Sequence, residues 1–510
     1  MNLTTVQFAI FVMIVLTIYY IVPQKHQWKC LLLSNLLFLW FAGVESILAV
    51  FLIGGISYTA AIFIAQKSDD VIAQTRNLAG TVAEQKKAAQ KIKKEVKQQN
   101  SRILAIGIAL IVGIWMSSKT GVIQWFTPVA ISYYSFIAIS YVADVCQGKY
   151  GAETNFARYL TFLSFFPQLT EGPFSRYEII NREINKRHCF SLAQMEKGVM
   201  RMLYGYVKKM VLADSLWLIL APLLEQEHAG NWSTVLLIML LPLQQYADFS
   251  GCMDIVIGLS ELLGITLPEN FRSPIFSKSI DEVWRRWHIT LGAFCKDYIF
   301  YPVALNRTIN KLGKKIGKRS TSWGKFFPVM TSLLCVWTFI GIWHGLSWKF
   351  LLWGWMNLTV IASSLMMENH YKRLKSFLHI RQNSKLYTIF CMCRTYLLFG
   401  IMEYMADGNS ASWAIRGWKA LFIRTAWSKE ALLNLKNQIP DSVNLALCLC
   451  ITIMVLIVDV LKERKISVLD WTGKQPVVLK SVIYLVLFYI IILFIPNGVD
   501  INAGFAYANF

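Results

Sequence analysis

The chain has 510 residues, of which 55% are hydrophobic and 16% charged, and its formal net charge is +21. The apolar residues come in blocks of roughly twenty, the length a helix needs to cross a hydrocarbon layer of ~30 Å. This pattern excludes a soluble multidomain protein. The basic residues lie between the apolar blocks, as in cytoplasmic loops that contact anionic headgroups, which argues against a nucleic-acid-binding protein.

The apolar blocks predict an all-α, polytopic membrane protein that forms a single membrane domain over residues 1–510. Several blocks lack a polar face, so they differ from the amphipathic helices of a soluble core. We expect about eleven to thirteen transmembrane or re-entrant helices. The clearest blocks are residues 4–23, 103–117, 333–343, 444–461 and 481–496.

The N-terminal region predicts an anchored span rather than a cleaved signal peptide. Residues 1–20 carry no basic residue before the apolar run, and no small-residue cleavage site follows. Two further apolar blocks lie within residues 28–65, before a basic segment at 67–102. We interpret that segment as a cytoplasmic helical insert, which places the N-terminus outside after three crossings.

Two stretches in the middle of the chain, residues 246–302 and 339–355, mix apolar residues with ionisable ones. A charge at the bilayer centre costs about 2.5–3.5 kcal/mol on insertion scales, so such residues face a bundle interior or a wet cavity and mark function. Asp144, Asp248 and Asp254 are expected to hydrogen-bond within the bundle or to line a funnel.

His344 is the first candidate for chemistry, because it alone among the histidines lies well inside an apolar block. Gly341 and Gly345 flank it and would allow a backbone or a substrate to approach closely. Burial disfavours the imidazolium, so the neutral ring could act as a general base. The alternative is a histidine that hydrogen-bonds across helices for packing.

His288 is the second candidate and follows two arginines, Arg285 and Arg286. The guanidinium groups could bind an anionic donor such as a phosphate-bearing thioester. Alternatively, one or both could extend to headgroups or a cytoplasmic loop. His288 itself would orient the substrate or neighbouring groups.

The ten cysteines show none of the Cys/His spacing of zinc sites, so no metal site is predicted. We interpret them as small apolar packing residues. The two halves of the chain also lack the matching broken helices of inverted-repeat transporters. This weakens the hypothesis of a transporter without excluding it.

Six segments carry a resemblance to a known family. They are FFPQLTEGPFSRY at 165–177, YADFSG at 246–251, LPENF at 267–271, VWRRWHITL at 283–291, KDYIFY at 296–301 and GIWHGLSW at 341–348. On these segments, residues 133–355 resemble the membrane-bound O-acyltransferase (MBOAT) superfamily, and most closely its bacterial alginate O-acetyltransferase branch. We take 133–355 as the catalytic core.

The resemblance implies a ring of helices around a central funnel that joins the cytoplasm to the exterior. His344 would be the catalytic residue at the constriction, with His288 as a second catalytic residue nearer the cytoplasm. The donor would be an acyl thioester, either acetyl-CoA or an acyl carrier, with no bound cofactor. The candidates for binding the donor or lining the funnel are Arg285, Arg286, Lys296, Asp297 and Asp248.

The chain departs from the branch at three places. Residues 292–296 are Gly–Ala–Phe–Cys–Lys where the branch usually has Ser–Thr–Trp–Phe–Arg, so Lys296 keeps the charge but loses the planar fork. Ala304 and Leu305 replace a pair of glycines, and a histidine common near Met356 and Asn357 is absent. These changes bear on the choice of donor and acceptor.

The end of the chain, FAYANF at 505–510, resembles an aromatic terminus of these export systems, in which the tyrosine takes the acyl group. Tyr507 is therefore a candidate acyl relay, and its phenol, with an ordinary pKa near 10, needs a base such as a histidine. One span follows the basic segment 462–480, which places the tail 497–510 outside. The alternative is an aromatic anchor at the membrane interface.

The leading hypothesis is an enzyme of the bacterial cytoplasmic membrane that exports an acyl group, with acetyl favoured, for O-acylation of a cell-surface or secreted polysaccharide. An extracytoplasmic acetyltransferase or esterase-fold partner would complete the transfer. The alternative within the same chemistry is export of D-alanyl groups from a carrier protein to teichoic acid. The alternative of another class is a transporter or flippase without chemistry.

Overall fold

The computed structural model of the protein describes residues 2–76, 81–169, 171–226, 231–318, 320–423, 427–441 and 443–494. Within these ranges the secondary structure is helical, with no β-strand, which confirms the all-α prediction. The predicted tail 497–510 and its Tyr507 lie outside the described residues. The chain divides into two compact units.

Unit 1 comprises Met1–Met195 and Leu259–Leu267. Its helices are α1 (Val6–Ile21), α2 (Gln27–Ala42), α3 (Val44–Arg76), α4 (Val82–Lys119), α5 (Ile131–Cys146), α6 (Phe156–Leu163), α7 (Phe166–Leu169) and α8 (Tyr177–Ile184). Polar residues cap several of them: Thr5 Oγ1 accepts from the Phe8 amide at the start of α1, and Thr81 forms a capping box with Glu84 at the start of α4.

The basic segment 67–102 is helical in its described part, because α3 and α4 continue past their apolar stretches. The two helices are joined here by hydrogen bonds from Asn100 Nδ2 to Ser68 Oγ at 3.1 Å and from Lys67 Nζ to Gln99 Oε1 at 2.9 Å.

In the same unit, Asp144 is buried and accepts from Lys149 at 2.6 Å, as predicted for a carboxylate bonded within the bundle.

Unit 2 comprises Glu196–Gly258 and Pro268–Phe510. Its helices are α9 (Leu192–Tyr206), α10 (Asp214–Glu225), α11 (Asn231–Leu262), α12 (Ile280–Arg286), α13 (Ile289–Cys295), α14 (Tyr301–Ala304), α15 (Arg307–Gly317), α16 (Thr321–His344), α17 (Trp348–Met366), α18 (Glu368–Phe377), α19 (Lys385–Asp407), α20 (Ala411–Ala420), α21 (Lys429–Asn437), α22 (Leu445–Glu463), α23 (Val468–Gly473) and α24 (Val477–Phe494). Two π-helical turns, Val207–Ala213 and Lys296–Phe300, join α9 to α10 and α13 to α14.

Seven described helices are long and apolar enough to span a membrane, which confirms a polytopic membrane protein. They lie in α3, α4, α11, α16, α19, α22 and α24. The pair α17 and α18, bent by 63°, raises the number to eight if it counts as one span, and α1 and α5 are shorter apolar helices. The predicted total of eleven to thirteen included re-entrant segments, and residues 271–305 form short helices of this broken kind.

Helices α16 and α17 approach each other closely because glycines face the contact. A Cβ atom on Gly354 would lie 2.5 Å from the carbonyl oxygen of Trp337, and one on Gly341 would lie 2.9 Å from that of Phe350. Small residues allow this backbone approach between membrane helices. The close approach at Gly341 is therefore made by the backbone of α17. This contact fixes the end of α16 that carries His344.

Candidate active site

His344 is the last residue of α16 and is 9% exposed. The structure therefore places it at the end of a span rather than well inside one, and the chain turns through Gly345 and Ser347 into α17. Its imidazole lies among aromatic rings, with centroid distances of 4.8 Å to Trp343, 4.9 Å to Trp353 and 6.1 Å to Phe350. This aromatic surround limits the orientations that the ring can take.

His288 forms the turn between α12 and α13 in a left-handed conformation, with φ 45° and ψ 52°. A residue other than glycine pays about 1–3 kcal/mol for such a backbone, and the surrounding structure must enforce it. The side chain is buried and packs edge-on against Phe249 at 4.9 Å. Strained residues of this kind cluster at functional sites, which agrees with the choice of His288 as a candidate.

Asn270 enforces this turn. Its side-chain oxygen accepts from Thr290 N at 3.0 Å and Thr290 Oγ1 at 2.9 Å, and it lies 3.2 Å from His288 Nδ1. Its backbone oxygen accepts from the Ile289 amide at 3.0 Å. Because the amide oxygen is an acceptor, Nδ1 of His288 is the donor, so Nε2 is the acceptor nitrogen of the neutral ring. The Asn270 side chain thus sets the tautomer of His288.

Replacing Asn270 by alanine is expected to destabilise the protein by at least about 1–3 kcal/mol, because buried donors on Thr290 and His288 lose a shared acceptor. Acyl transfer should fall as well, since His288 would no longer be held in one tautomer. Thermal unfolding of the detergent-solubilised protein, together with an acyl-ester assay, measures both effects. Asn270→Asp keeps the acceptor oxygen and should retain most of both; equal losses in the two variants would contradict this role.

Two of the cavities in the described part of unit 2 meet at His344. The larger one, of about 560 Å³, is lined by both histidines, by the charged residues Asp281, Arg285 and Lys296, and by apolar side chains. The apolar lining includes Val329, Leu333, Val336, Ile340 and Leu365.

The smaller cavity, of about 260 Å³, has a more polar wall. Its polar residues are Gln244, Gln245, Asp248, Lys349, Glu403 and Asp407. His344 lines both cavities, together with Trp284 and Trp287. Asn357 holds the shared wall in place, because its side-chain oxygen accepts from Trp284 Nε1 at 2.8 Å. The imidazole of His344 is therefore accessible from two separate cavities.

Three of the five predicted charged candidates line one of the two cavities. Arg285 and Lys296 line the larger cavity, with Arg285 also paired to Asp281 at 2.6 Å, and Asp248 lines the smaller one. Among the residues that the structure describes, Arg286 and Asp297 line neither.

Arg286 instead forms ion pairs with Glu282 at 2.8 Å and Glu463 at 2.6 Å. The structure therefore does not bring it to the donor cavity, and it joins α12 to the end of α22. Asp248 is 2% exposed and pairs with Lys209 at 2.7 Å, and Lys209 also pairs with Asp214. Over the described ranges, no group of three or more His, Cys, Asp or Glu side chains could hold a metal ion.

The residues of both cavities lie mostly within a segment that matches a known family. Residues 150–402 match the sequence profile of MBOAT, the membrane-bound O-acyltransferase family. This segment belongs to the MBOAT family. The MBOAT match extends further toward the C-terminus than the core predicted from the sequence, 133–355, and it includes most of α19.

Individual MBOAT-related proteins show the same likeness over part of their length. The chain is 34% identical over 239 residues to a protein named "Probable alginate O-acetylase AlgI" from Azotobacter vinelandii, covering 46% of this chain and 44% of that protein. It is 29% identical to a peptidoglycan O-acetyltransferase from Helicobacter pylori, over 45% of this chain and 46% of the relative. It is 26% identical to a teichoic acid D-alanyltransferase from Streptococcus thermophilus, over 44% and 53%. The matched segment thus spans about half the length of these relatives.

The sequence analysis missed several residues of the candidate site. Asn270 lies in the quoted LPENF segment, but its role depends on the fold of the turn around His288. Glu403 and Asp407 lie beyond the predicted core, at the end of the apolar helix α19. Their signal was present in the sequence, since two carboxylates one helical turn apart within an apolar span indicate a cavity or a site.

Proposed function

We propose that this chain is an O-acyltransferase that moves an acyl group, with acetyl favoured, from a cytoplasmic thioester donor across the membrane for O-acylation of a cell-surface or secreted polysaccharide. The observation that carries the proposal is the position of His344, whose imidazole lines two cavities at once. A base in this position can meet a donor and an acceptor that arrive from different sides. The O-acetylating relatives support acetyl as the group.

The larger cavity suits the donor. Arg285 and Lys296 can bind phosphate groups, and the apolar wall can accommodate the carbon chain of an acyl thioester such as acetyl-CoA or an acyl carrier. The ion pair between Arg286 and Glu463 places α12, which lines this cavity, beside the end of α22. The basic segment 462–480 begins there, so the larger cavity faces the cytoplasm by the positive-inside tendency.

The smaller cavity suits the acceptor. It is lined by Ala406 and Asp407 at the C-terminal end of α19. The same helix begins at Lys385, after the basic segment 372–385. Because one crossing separates its two ends, the smaller cavity faces the exterior. Its carboxylates would disfavour an anionic donor and leave a neutral hydroxyl acceptor as the better ligand.

In the proposed reaction His344 accepts the proton of the acceptor hydroxyl while that oxygen attacks the thioester carbonyl carbon. The new C–O ester bond forms and the C–S bond breaks. The imidazolium of His344 then returns the proton to the departing thiolate, so the thiol leaves on the cytoplasmic side. His288, with Nε2 as acceptor, orients the donor or the groups around it. The enclosed site limits hydrolysis of the thioester.

The adjacent arginines allow a matched test of the donor cavity. Arg285→Ala should raise the KM for acetyl-CoA by roughly 10- to 150-fold with little change in thermal stability, because one charged contact to a phosphate is worth about 1.5–3 kcal/mol in favourable geometry. Arg286→Ala should lower the unfolding temperature and leave the KM for acetyl-CoA unchanged. Initial rates in membranes and melting curves in detergent provide the two measurements. A raised KM for acetyl-CoA in Arg286→Ala, with an unchanged KM in Arg285→Ala, would assign donor binding to Arg286. That result would overturn the placement of the donor in the larger cavity.

The remaining features of the proposal come from the sequence. Tyr507 would take the acyl group outside, and α24, one crossing after the segment 462–480, supports an external position for the residues that follow it. An extracytoplasmic acetyltransferase or esterase-fold partner would complete the transfer to the glycan. The membrane would be the bacterial cytoplasmic membrane, with the N-terminus outside.

The proposal is tested by deleting the gene that encodes this protein and measuring ester-linked groups in every glycan fraction of the cell. Loss of alkali-labile acetate from one polysaccharide, restored by the wild-type chain, is the expected result. Loss of ester-linked D-alanine from teichoic acid would favour the related alternative. If ester content is unchanged in all fractions, the enzyme proposal fails and a transporter or flippase remains.

A further inference from the structure

Glu403 is a buried carboxyl group that takes no part in the proton transfer and bond exchange described above. It lies on α19, is 5% exposed and lines the smaller cavity together with His344. Its Oε1 accepts a hydrogen bond from Trp353 Nε1 at 3.1 Å. Burying a carboxylate costs several kcal/mol unless its partners compensate. An apolar residue would avoid that cost, so the choice of glutamate requires a reason.

Trp353, which donates this hydrogen bond to Glu403, also contacts His344. The indole of Trp353 is 3% exposed, and its ring centroid lies 4.9 Å from that of His344 with the two planes at 77°. Trp353 also packs edge-on against Trp284 at 5.7 Å and Trp337 at 6.0 Å. The indole thus contacts both the side chain of Glu403 and the imidazole of His344.

The end of α19 is fixed to its neighbours, which keeps Glu403 in place. Gln245 Nε2 on α11 donates to Asp407 Oδ2 at 2.6 Å, one turn after Glu403. Lys349 Nζ on α17 donates to the carbonyl oxygen of Gly408 at 2.9 Å. These bonds join α19 to α11 and α17, two other helices of the cavity wall. A hydrogen bond from Trp353 to this fixed carboxylate therefore also fixes the indole.

We infer that Glu403 is a positioning residue for acyl transfer, which acts by holding Trp353 so that the indole keeps the His344 imidazole in its reactive orientation. This inference rests on the proposed transfer at His344. The positioning role requires a hydrogen-bond acceptor atom on residue 403 and a donor N–H on residue 353. Reaction rates are sensitive to such placement, because a shift of about 1 Å in a reacting group can lower a rate about 10²-fold.

The two partners allow a double-mutant test in the full-length protein. Glu403→Leu and Trp353→Phe each remove the hydrogen bond, so each should lower kcat by about 10- to 100-fold and leave the KM for acetyl-CoA unchanged. Combined, they should lower kcat no further than the worse single variant, since both act through one bond. Glu403→Gln keeps an acceptor oxygen and should stay within about threefold of wild type.

The assay uses membranes that contain the full-length chain, with radiolabelled acetyl-CoA as the donor and alkali-labile label in the glycan fraction as the readout. Thermal unfolding shows whether each variant folds. Glu403→Leu should fold, because it removes the desolvation cost of the buried carboxyl group while leaving one N–H, that of Trp353, without its acceptor. The matched control is Trp355→Phe on the same helix. Trp355 Nε1 donates to Thr338 Oγ1 at 3.1 Å, and this variant should keep wild-type kcat.

Separate outcomes address the two claims. If the wild-type membranes transfer no acyl group, the proposed function fails. If they are active but a folded Glu403→Leu variant keeps wild-type kcat, only the positioning role of Glu403 fails. Fully additive losses in the double variant, or an equal loss in Glu403→Gln and Glu403→Leu, would likewise overturn it.

Discussion

Replacing His344 by alanine is expected to lower acyl-ester formation by about 10²–10⁴-fold, the usual contribution of a general base. The protein should still insert and fold, since His344 ends its helix and lines two cavities. The acceptor hydroxyl would then have to lose its proton to water in an enclosed site. Ester-linked acetate released by alkali from cells carrying each variant measures the effect.

The His344→Ala variant is compared with a control variant at an exposed histidine. His370→Ala changes an exposed histidine on α18 and should leave ester formation unchanged. The amount of each variant in the membrane is measured by immunoblot, so that a loss of protein is not mistaken for a loss of chemistry. Wild-type ester formation in a His344→Ala variant present at the normal level would refute the role of the imidazole as base.

Replacing Asp254 by leucine is expected to reduce the free energy of unfolding by about 3–5 kcal/mol, the usual cost of leaving a buried ion pair with one partner missing. Asp254 accepts from Arg201 Nε at 3.0 Å and Lys208 Nζ at 2.6 Å, and all three side chains are buried. Removing the carboxylate leaves two cations in a site of low dielectric constant. The thermal unfolding of the detergent-solubilised protein measures the loss.

The same measurement on two further variants checks the cause. Adding Lys208→Met to Asp254→Leu should recover part of the lost stability, because Arg201 keeps Glu269 at 2.7 Å as a partner and one unpaired cation is removed. Glu368→Ala breaks an exposed pair with Lys372 and should cost at most about 1 kcal/mol. An effect of Asp254→Leu as small as that of Glu368→Ala would show that water reaches the cluster.

The features that could be predicted from the sequence are those encoded locally. A run of apolar residues predicts a spanning helix whatever its neighbours are, and the ionisable residues within residues 246–302 and 339–355 indicated the site for the same reason. Both His288 and His344, which this pattern singled out, line one cavity in the structure, although 56 positions separate them in the numbering.

The features that could not be predicted depend on contacts between distant parts of the chain. Arg285 and Arg286 are adjacent, and nothing local to them shows that one lines a cavity while the other pairs with Glu463 on α22. Likewise, Glu403 acquires its neighbour Trp353 only when α17 and α19 pack together. Side-chain pairing of this kind follows from the fold and not from periodicity.

The number of membrane-spanning helices is also hard to predict from the sequence. An apolar stretch has the composition of a membrane helix whether or not its backbone stays helical. In residues 271–305 the chain is interrupted at Ser273 and His288, which adopt positive φ angles, and the π-helical turn Lys296–Phe300 follows. Hydropathy reports composition, while these interruptions are set by the hydrogen bonds of residues such as Asn270.

The wall shared by the two cavities has an electrical consequence. With the cavities open to opposite compartments, as proposed, water reaches both faces of a barrier formed by Trp284, Trp287 and His344. The transmembrane voltage would then fall mainly across these side chains instead of across the full bilayer. A unit charge that crosses 100 mV changes in energy by about 2.3 kcal/mol, so proton movement at His344 would be sensitive to the energised state of the cell.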